Sequence, residues 1–335
     1  MRIVFWLFLI FLFSSCGMTT IKVPKINGVS FVASRDSISD VHIKPVVNIH
    51  ANYAAIMPFG FIRSSDNPEI IYNTDRQWFG ESRPGAKQYI EALHKHNIKV
   101  MMKPHIWIRG EFTGHLTMDS EEHWMQLEQS YSEFILDFAK LAQETNAEML
   151  CIGTELEQFV INRPDYWNGL IKKIKNVYKG KLTYAANWDE FKRTPFWDQL
   201  DYIGVDAYFP VSDSQTPTVE ECLEGWMEHK AVIKELSEQF DKPILFTEFG
   251  YRSVDYSGKE PWKSERYSEP ANFEAQNNTT EALFKTFWNE EWFAGGFVWK
   301  WFHNHEKSGG ENNNQFTPQN KPVESIIKVQ YAFQQ

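Results

Sequence analysis

Short apolar runs alternate with longer amphipathic stretches along most of the chain. The apolar runs predict eight strands, over residues 29–33, 53–59, 98–108, 149–155, 182–187, 202–208, 243–248 and 295–301. Apolar positions at helical spacing predict helices over 84–97, 121–144, 166–179, 219–240, 271–289 and 325–333. Strands that alternate with helices indicate a parallel sheet, and eight of them favour a single (β/α)8 barrel, the TIM barrel. An open doubly wound sheet is the alternative, although no Gly-x-Gly-x-x-Gly follows a strand.

The first fifteen residues differ from this pattern. Arg2 precedes an apolar run over 3–13, which is too short to span a membrane and is typical of a signal peptide. Small residues then lead directly to Cys16, which resembles the lipobox of bacterial lipoproteins. We therefore expect a signal peptide over 1–15, a tether over 16–25 and one domain over 26–335. On this interpretation Cys16 carries a lipid that anchors the protein to a membrane of the bacterial cell envelope, on the periplasmic or cell-surface side. The alternative is an ordinary secretory signal with an incidental cysteine.

Composition narrows the class of protein. The 335 residues include 34 basic and 44 acidic side chains, for a net charge of −10, which argues against a nucleic-acid partner. Three cysteines exclude a disulfide framework, and Cys151 and Cys222 are predicted to be small apolar residues in regular segments. The chain also has 13 Trp, 13 Tyr and 26 Phe residues. These rings fit either an aromatic core or a surface that binds sugars.

Polar and aromatic residues collect at the carboxyl ends of the predicted strands. They are His105 and Trp107 after the third strand, Glu155 and Glu157 after the fourth, Asn187 and Trp188 after the fifth, Tyr208 at the sixth, Glu248 at the seventh, and Trp299 and Trp301 at the eighth. A carboxylate that closes an apolar strand is costly unless it is paired or functional. Two carboxyl groups at one barrel mouth suit glycoside hydrolysis, in which one protonates the leaving oxygen and the other attacks or activates water. The alternative is that each Glu forms a structural ion pair with a neighbouring Lys or His.

The same strand ends resemble a known family. The segments KPHIWI, IGTEL, YAANWD, DYIGVDAYFP, LFTEFGY and FVWKW, in this order, are similar to glycoside hydrolase family 113, a family of retaining (β/α)8 enzymes best known for β-mannanases. The resemblance covers residues 27–303. It implies that Glu155 is the acid/base, that Glu248 is the nucleophile and that Tyr208 hydrogen-bonds the nucleophile. It also implies that the sugar-binding subsites are shaped by His105, Asn187, Trp188, Trp299 and Trp301, and Trp107 is expected to join them.

Four positions qualify this assignment. The wider clan has Asn immediately before the acid/base, where this chain has Thr154, so the contact with the sugar 2-hydroxyl is altered. Glu157 shares the predicted face of Glu155, and a substrate-binding or structural role is favoured for it over that of the acid. Lys103 either binds substrate or, as we favour, neutralises a carboxylate in the barrel. Asp206 is expected to be a structural hydrogen-bond acceptor.

No cofactor is implied, and two His pairs are the weak candidates for a metal. His94 and His96 end a predicted helix, and His303 and His305 follow the eighth strand, but no zinc or calcium pattern accompanies them. The sequence therefore predicts a retaining glycoside hydrolase of β-linked hexose chains, with an endo-β-1,4-mannanase first. An exo-acting β-glycosidase and a non-catalytic surface protein that binds glycans are the alternatives.

Overall fold

Eight parallel strands close a barrel in the computed structural model of the chain, which describes residues 24–264 and 270–333. In chain order the strands are β1 (Ile26–Phe31), β2 (Tyr53–Ile56), β3 (Phe59–Ile62), β4 (Lys99–Met102), β5 (His105–Ile108), β6 (Met149–Thr154), β7 (Lys181–Asn187), β8 (Ile203–Asp206), β9 (Ile244–Phe249) and β10 (Phe293–Trp301). All except β3 and β5 belong to the barrel, and β10 closes it by pairing with β1. The predicted TIM barrel is confirmed.

Two predicted strands are interrupted at proline. Pro58 separates β2 from β3 and Pro104 separates β4 from β5, because proline has no N–H to donate to the ladder. β3 and β5 then form a separate parallel pair, with Phe59 opposite His105 and Ile62 opposite Ile108. The prediction of continuous strands over 53–59 and 98–108 was therefore wrong, and the residues after each proline extend above the barrel mouth.

Helices lie outside the barrel, and most of them connect one barrel strand to the next. They are α1 (Asp40–Asn48), α2 (Arg83–His94), α3 (Glu121–Thr145), α4 (Glu157–Asn162), α5 (Pro164–Val177), α6 (Val219–Phe240), α7 (Phe273–Phe287) and α8 (Pro322–Ala332). α1 and α4 were not predicted, since α1 has Pro45 inside it and α4 is short. None of the helices in the described residues is long and apolar enough to cross a membrane. The predicted signal peptide and Cys16 lie outside the described ranges.

The core has two layers. The larger fills the space between the barrel and the helices, and includes Tyr131 and Phe134 of α3, each at most 1% exposed. The smaller fills the barrel interior with residues of seven strands: Ile26, Ala55, Met101, Met149, Cys151, Ala185, Leu245 and Phe297. Cys151 and Cys222 are both buried and unpaired, as predicted. The interior apolar layer forms the floor of the site described next.

Candidate active site

A buried lysine and two buried carboxyl groups form the centre of the barrel mouth. Asp206 at the end of β8 lies in register with Glu248 of β9, and Lys103 follows β4. The Lys103 Nζ lies 2.5 Å from Glu248 Oε1 and 3.2 Å from Asp206 Oδ1. Tyr208 donates a hydrogen bond of 2.7 Å to Glu248 Oε2, so both oxygens of Glu248 are held. Thr247 donates to Asp206 Oδ1 at 2.7 Å. Lys103 therefore neutralises carboxyl groups in the barrel, and Asp206 is a hydrogen-bond acceptor.

Burial and mutual repulsion shape the electrostatics of this centre. Burial and the nearby charge of Glu248 raise the pKa of Asp206 to about 7, although Lys103 and Thr247 oppose this rise. Burial disfavours the charged form of Lys103, but the carboxylates of Asp206 and Glu248 outweigh burial and raise the pKa of the lysine above its ordinary value. The charge states of Lys103 and Asp206 thus depend on the charges of their neighbours.

Glu155 occupies different surroundings, at the end of β6. It directly follows β6, and its backbone has a φ of +49°, a conformation uncommon for a residue other than glycine. Its N–H donates to the carbonyl of Ala185 at 2.8 Å. Burial raises the pKa of the Glu155 carboxyl well above its usual range, and the charges of Asp206 and Glu248 raise it further. The raised pKa favours the protonated form of Glu155, which suits this side chain to donate a proton.

His105 and Trp107 lie on β5, above the barrel. The Nε2 of His105 is buried without a hydrogen-bond partner among the described residues. Burial and the charge of Lys103 lower the pKa of His105 well below its usual range, so the ring is neutral. Trp107 is 49% exposed and contacts Phe61 edge to face, with 6.1 Å between ring centroids. An exposed indole beside a neutral, unpartnered imidazole can offer one stacking surface and one polar contact to a ligand.

Aromatic residues from other strand ends also lie at the mouth. Trp188 stacks on Trp262, with 5.0 Å between centroids and 19° between planes. Asn187 and Trp299 are partly buried, and the Trp299–Lys300 peptide bond is cis. Trp262 was not predicted, because it lies in the loop after β9 rather than at a strand end. A periodicity argument has no means of selecting a residue in such a loop.

The prediction for Trp301 is corrected by the structure. Its side chain is fully buried, within the core between the barrel and the helices. Strict alternation along β10 would place it on the same face as Trp299. However, Val298 pairs with Val29, and Trp301 pairs with Phe31. The register therefore advances by three residues along β10 but by two along β1. This irregularity turns the Trp301 ring away from the mouth.

Glu157 does not share the position of Glu155. Because β6 ends at Thr154 and Glu155 adopts a left-handed conformation, the expected strand alternation stops there. Glu157 instead begins α4 and forms an ion pair with Arg193 from the loop after β7. Its observed role is structural.

In each of the two His pairs considered as metal ligands, at least one imidazole contacts a carboxylate. His94 lies 3.2 Å from Glu148, and His305 lies 2.7 Å from Glu324. Within residues 24–264 and 270–333, no group of three or more His, Cys, Asp or Glu side chains could hold a metal ion.

A TIM barrel whose mouth holds two carboxyl groups in unequal surroundings has the architecture of a glycoside hydrolase. The model of glycoside hydrolase family 113 matches residues 34–321. The chain therefore belongs to glycoside hydrolase family 113, and the predicted resemblance is confirmed.

Solved structures support the same fold. The chain is similar to the family 113 β-mannanase AaManA from Alicyclobacillus acidocaldarius in complex with ManMIm, at 22% identity and a TM-score of 0.79, with 93% of this chain and 99% of that chain covered. A family 113 β-1,4-mannanase solved as a complex matches at 22% identity and a TM-score of 0.79, with coverages of 92% and 99%. The β-glucuronidase from Ruminococcus gnavus is more distant, at 14% identity and a TM-score of 0.62, and the match spans 92% of this chain but 50% of that enzyme. No curated protein sequence matches the chain significantly.

Proposed function

We propose that the protein is a retaining endo-β-1,4-mannanase. The contrast between its two carboxyl groups carries the proposal: Glu248 is held at both oxygens by Lys103 and Tyr208, whereas burial and nearby charges raise the pKa of Glu155 and so favour its protonated form. Paired carboxyl groups with unequal environments can divide the roles of nucleophile and acid. Membership of family 113 and the likeness to β-mannanase structures support mannan as the substrate.

The reaction would proceed in two steps. A carboxylate oxygen of Glu248 attacks the anomeric carbon while Glu155 donates its proton to the glycosidic oxygen, so the glycosidic bond breaks and a glycosyl ester forms. Glu155, now ionised, then removes a proton from water, and the resulting attack on the anomeric carbon releases Glu248. Lys103 and Tyr208 hold Glu248 in position through both steps. Trp107, Trp188 and Trp299 would contact the sugar rings, with His105 and Asn187 as polar partners.

Hydrolysis of a substrate panel tests the activity. Wild type and Glu248→Ala should be assayed with β-mannan, β-glucan, xylan and aryl β-glycosides. We expect turnover of β-mannan by the wild type alone. Glycan binding without turnover above the variant would instead identify a non-catalytic glycan-binding protein, and turnover of another polysaccharide would change the substrate.

The stereochemistry and the site of cleavage require separate measurements. Proton NMR of the first product should show the β anomer, and an initial α product would contradict a nucleophilic Glu248. Product lengths should include oligosaccharides from the first minutes. Monomer alone would indicate an exo-acting enzyme.

We also propose that Cys16 carries a lipid anchor, on the strength of the N-terminal sequence. In a bacterial host, Cys16→Ser should move the protein from the membrane fraction to the soluble fraction. Unchanged retention in the membrane fraction would refute the anchor without affecting the proposed activity.

A further inference from the structure

Tyr184 and Glu190 form a buried bridge between the carboxyl ends of β6 and β7. Tyr184 lies within β7 and is fully buried, and Glu190 lies in the turn after β7 and is 2% exposed. The Tyr184 hydroxyl donates to Glu190 Oε1 at 2.6 Å and accepts from the N–H of Leu156 at 2.7 Å. The second oxygen, Glu190 Oε2, accepts from the N–H of Asn187 at 3.0 Å. One carboxyl group thus connects the residue that follows Glu155 with a predicted sugar-binding residue.

This bridge ends at the N–H of Leu156, directly after Glu155. The N–H of Glu155 is bonded to Ala185, and the next N–H, of Leu156, is bonded to Tyr184. Both anchors therefore come from β7 and flank a residue whose φ is +49°. A left-handed conformation in a residue with a side chain persists only where its surroundings impose it. These two hydrogen bonds hold the backbone on both sides of the Glu155 side chain.

The chemistry of Glu190 also needs an explanation. Burial of a carboxyl group is costly, and among the described residues neither Lys nor Arg pairs with it. Burial raises its pKa to about 8, against the opposing effect of the hydrogen bonds from Tyr184 and Asn187. A turn in a loop requires no such group, whereas an acceptor oxygen for the Tyr184 hydroxyl fixes the orientation in which that hydroxyl can accept from Leu156.

We propose that Glu190 is a positioning residue, which acts through Tyr184 to hold the acid/base Glu155 in its working orientation. The inference rests on the proposed function for the identity of the acid. Glu190 itself does not contact the substrate in this scheme. Its loss should therefore weaken proton donation to the leaving group and leave nucleophilic attack by Glu248 intact.

Two variants break the bridge, a third should largely restore it, and a fourth is a matched control. Tyr184→Phe removes the hydroxyl, and Glu190→Ala removes its acceptor. Glu190→Gln keeps an acceptor oxygen and should rescue most of the loss. Tyr178→Phe is the control, because the buried Tyr178 hydroxyl bonds the carbonyl of Ala147 at 2.7 Å, near the amino ends of the same two strands.

The first measurement needs no substrate. Amide hydrogen exchange should show that Leu156 loses at least about 10-fold in protection in Tyr184→Phe and Glu190→Ala, while Tyr178→Phe leaves it unchanged. Equal protection of Leu156 in wild type and both bridge variants would overturn the proposal. This result stands even if the wild type hydrolyses no substrate, which would refute the proposed function alone.

The second measurement separates positioning of an acid from a general structural role. For an aryl β-mannoside with a poor leaving group, kcat/KM should fall roughly 10- to 100-fold in the bridge variants, because general acid catalysis contributes about 10²–10⁴-fold. For a dinitrophenyl β-mannoside, which needs little protonation, the loss should stay below about threefold. Equal losses for both substrates, or no loss for either, would overturn the role assigned to Glu190.

Discussion

The two ends of the barrel hold their charges in different ways. At the amino ends of the strands, Lys181 pairs with Asp201 at 2.8 Å, but their side chains are 61% and 34% exposed. At the mouth, Lys103 and Asp206 are at most 1% exposed and Glu248 is 7% exposed. Exposed pairs cost little desolvation and contribute little stability. Buried pairs cost several kcal/mol in desolvation per ion, which their attraction does not always repay.

The charged pair at the amino end of the barrel therefore serves stability, whereas the buried charges at the mouth serve function. At the amino end, Asp201 also accepts a hydrogen bond from the N–H of Leu182, so a backbone donor at the start of β7 has a partner. At the mouth, the charged groups are buried at a cost in desolvation, and Glu248 and Glu155 lie in unequal environments. Changes at the mouth should therefore affect catalysis far more than changes at the amino end.

The largest effect is expected for Glu248→Gln. The side chain keeps its shape but loses the carboxylate that we propose as the nucleophile, so kcat should fall by about 10⁴-fold or more. Lys103 retains Asp206 as a partner, so the fold should persist. Steady-state kinetics measures the fall in kcat, and circular dichroism shows whether the variant is folded. A folded variant with a tenth of wild-type activity would remove Glu248 from the mechanism.

The second effect concerns the pH profile of Glu155. Because the pKa of this carboxyl is raised, its protonated form persists to higher pH than in an ordinary Glu and is lost as pH rises through that pKa. The wild-type kcat/KM should therefore fall on the alkaline side. Glu155→Gln should lower kcat/KM about 10²–10⁴-fold for substrates with poor leaving groups and abolish this alkaline limb. If kcat/KM of Glu155→Gln still falls on the alkaline side, a group other than Glu155 is responsible for that fall.

The sequence was sufficient to predict the barrel and most of the mouth. Buried strands have apolar runs, and a polar residue at the end of such a run is conspicuous, which is how Glu155, Glu248 and Tyr208 were selected. The same reasoning led to the expectations that Lys103 neutralises a carboxylate in the barrel and that Asp206 is a structural hydrogen-bond acceptor. These predictions depended on periodicity along single strands and on the rule that parallel strands end at one face.

Features that depend on irregular backbone could not be predicted in this way. Trp301 was misplaced because the register between β10 and β1 changes near the strand end. Glu157 was placed with Glu155 because nothing in the sequence indicates a left-handed residue at Glu155. Glu190 was missed because it lies in a turn and reaches the site only through Tyr184. Contacts between loops and strand ends require three-dimensional information.

The third effect is on stability at the mouth. Lys103→Met leaves the carboxyl groups of Asp206 and Glu248 adjacent without their cation, which should destabilise the protein by about 3–5 kcal/mol at pH 8. The loss should be smaller at pH 5, because removal of Lys103 raises the pKa of Asp206 further and protonation relieves the repulsion. Urea unfolding at both pH values measures this difference. Lys230→Met is the matched control, since Lys230 and its partner Glu290 are about one-third exposed. Equal losses in the two variants would refute the contrast between buried and exposed pairs.

The smallest effect is expected at the amino end. Lys181→Met removes the cation of an exposed pair, so the free energy of unfolding should change by about 0.2–1 kcal/mol and kcat/KM should not change. Asp201→Ala should cost about 1 kcal/mol more, because it also leaves the N–H of Leu182 without its acceptor. Urea unfolding of the two variants measures the difference between them. A loss of kcat/KM beyond about twofold in Lys181→Met would show that the amino end is coupled to the mouth, and the separation of stability from function along the barrel would then be wrong.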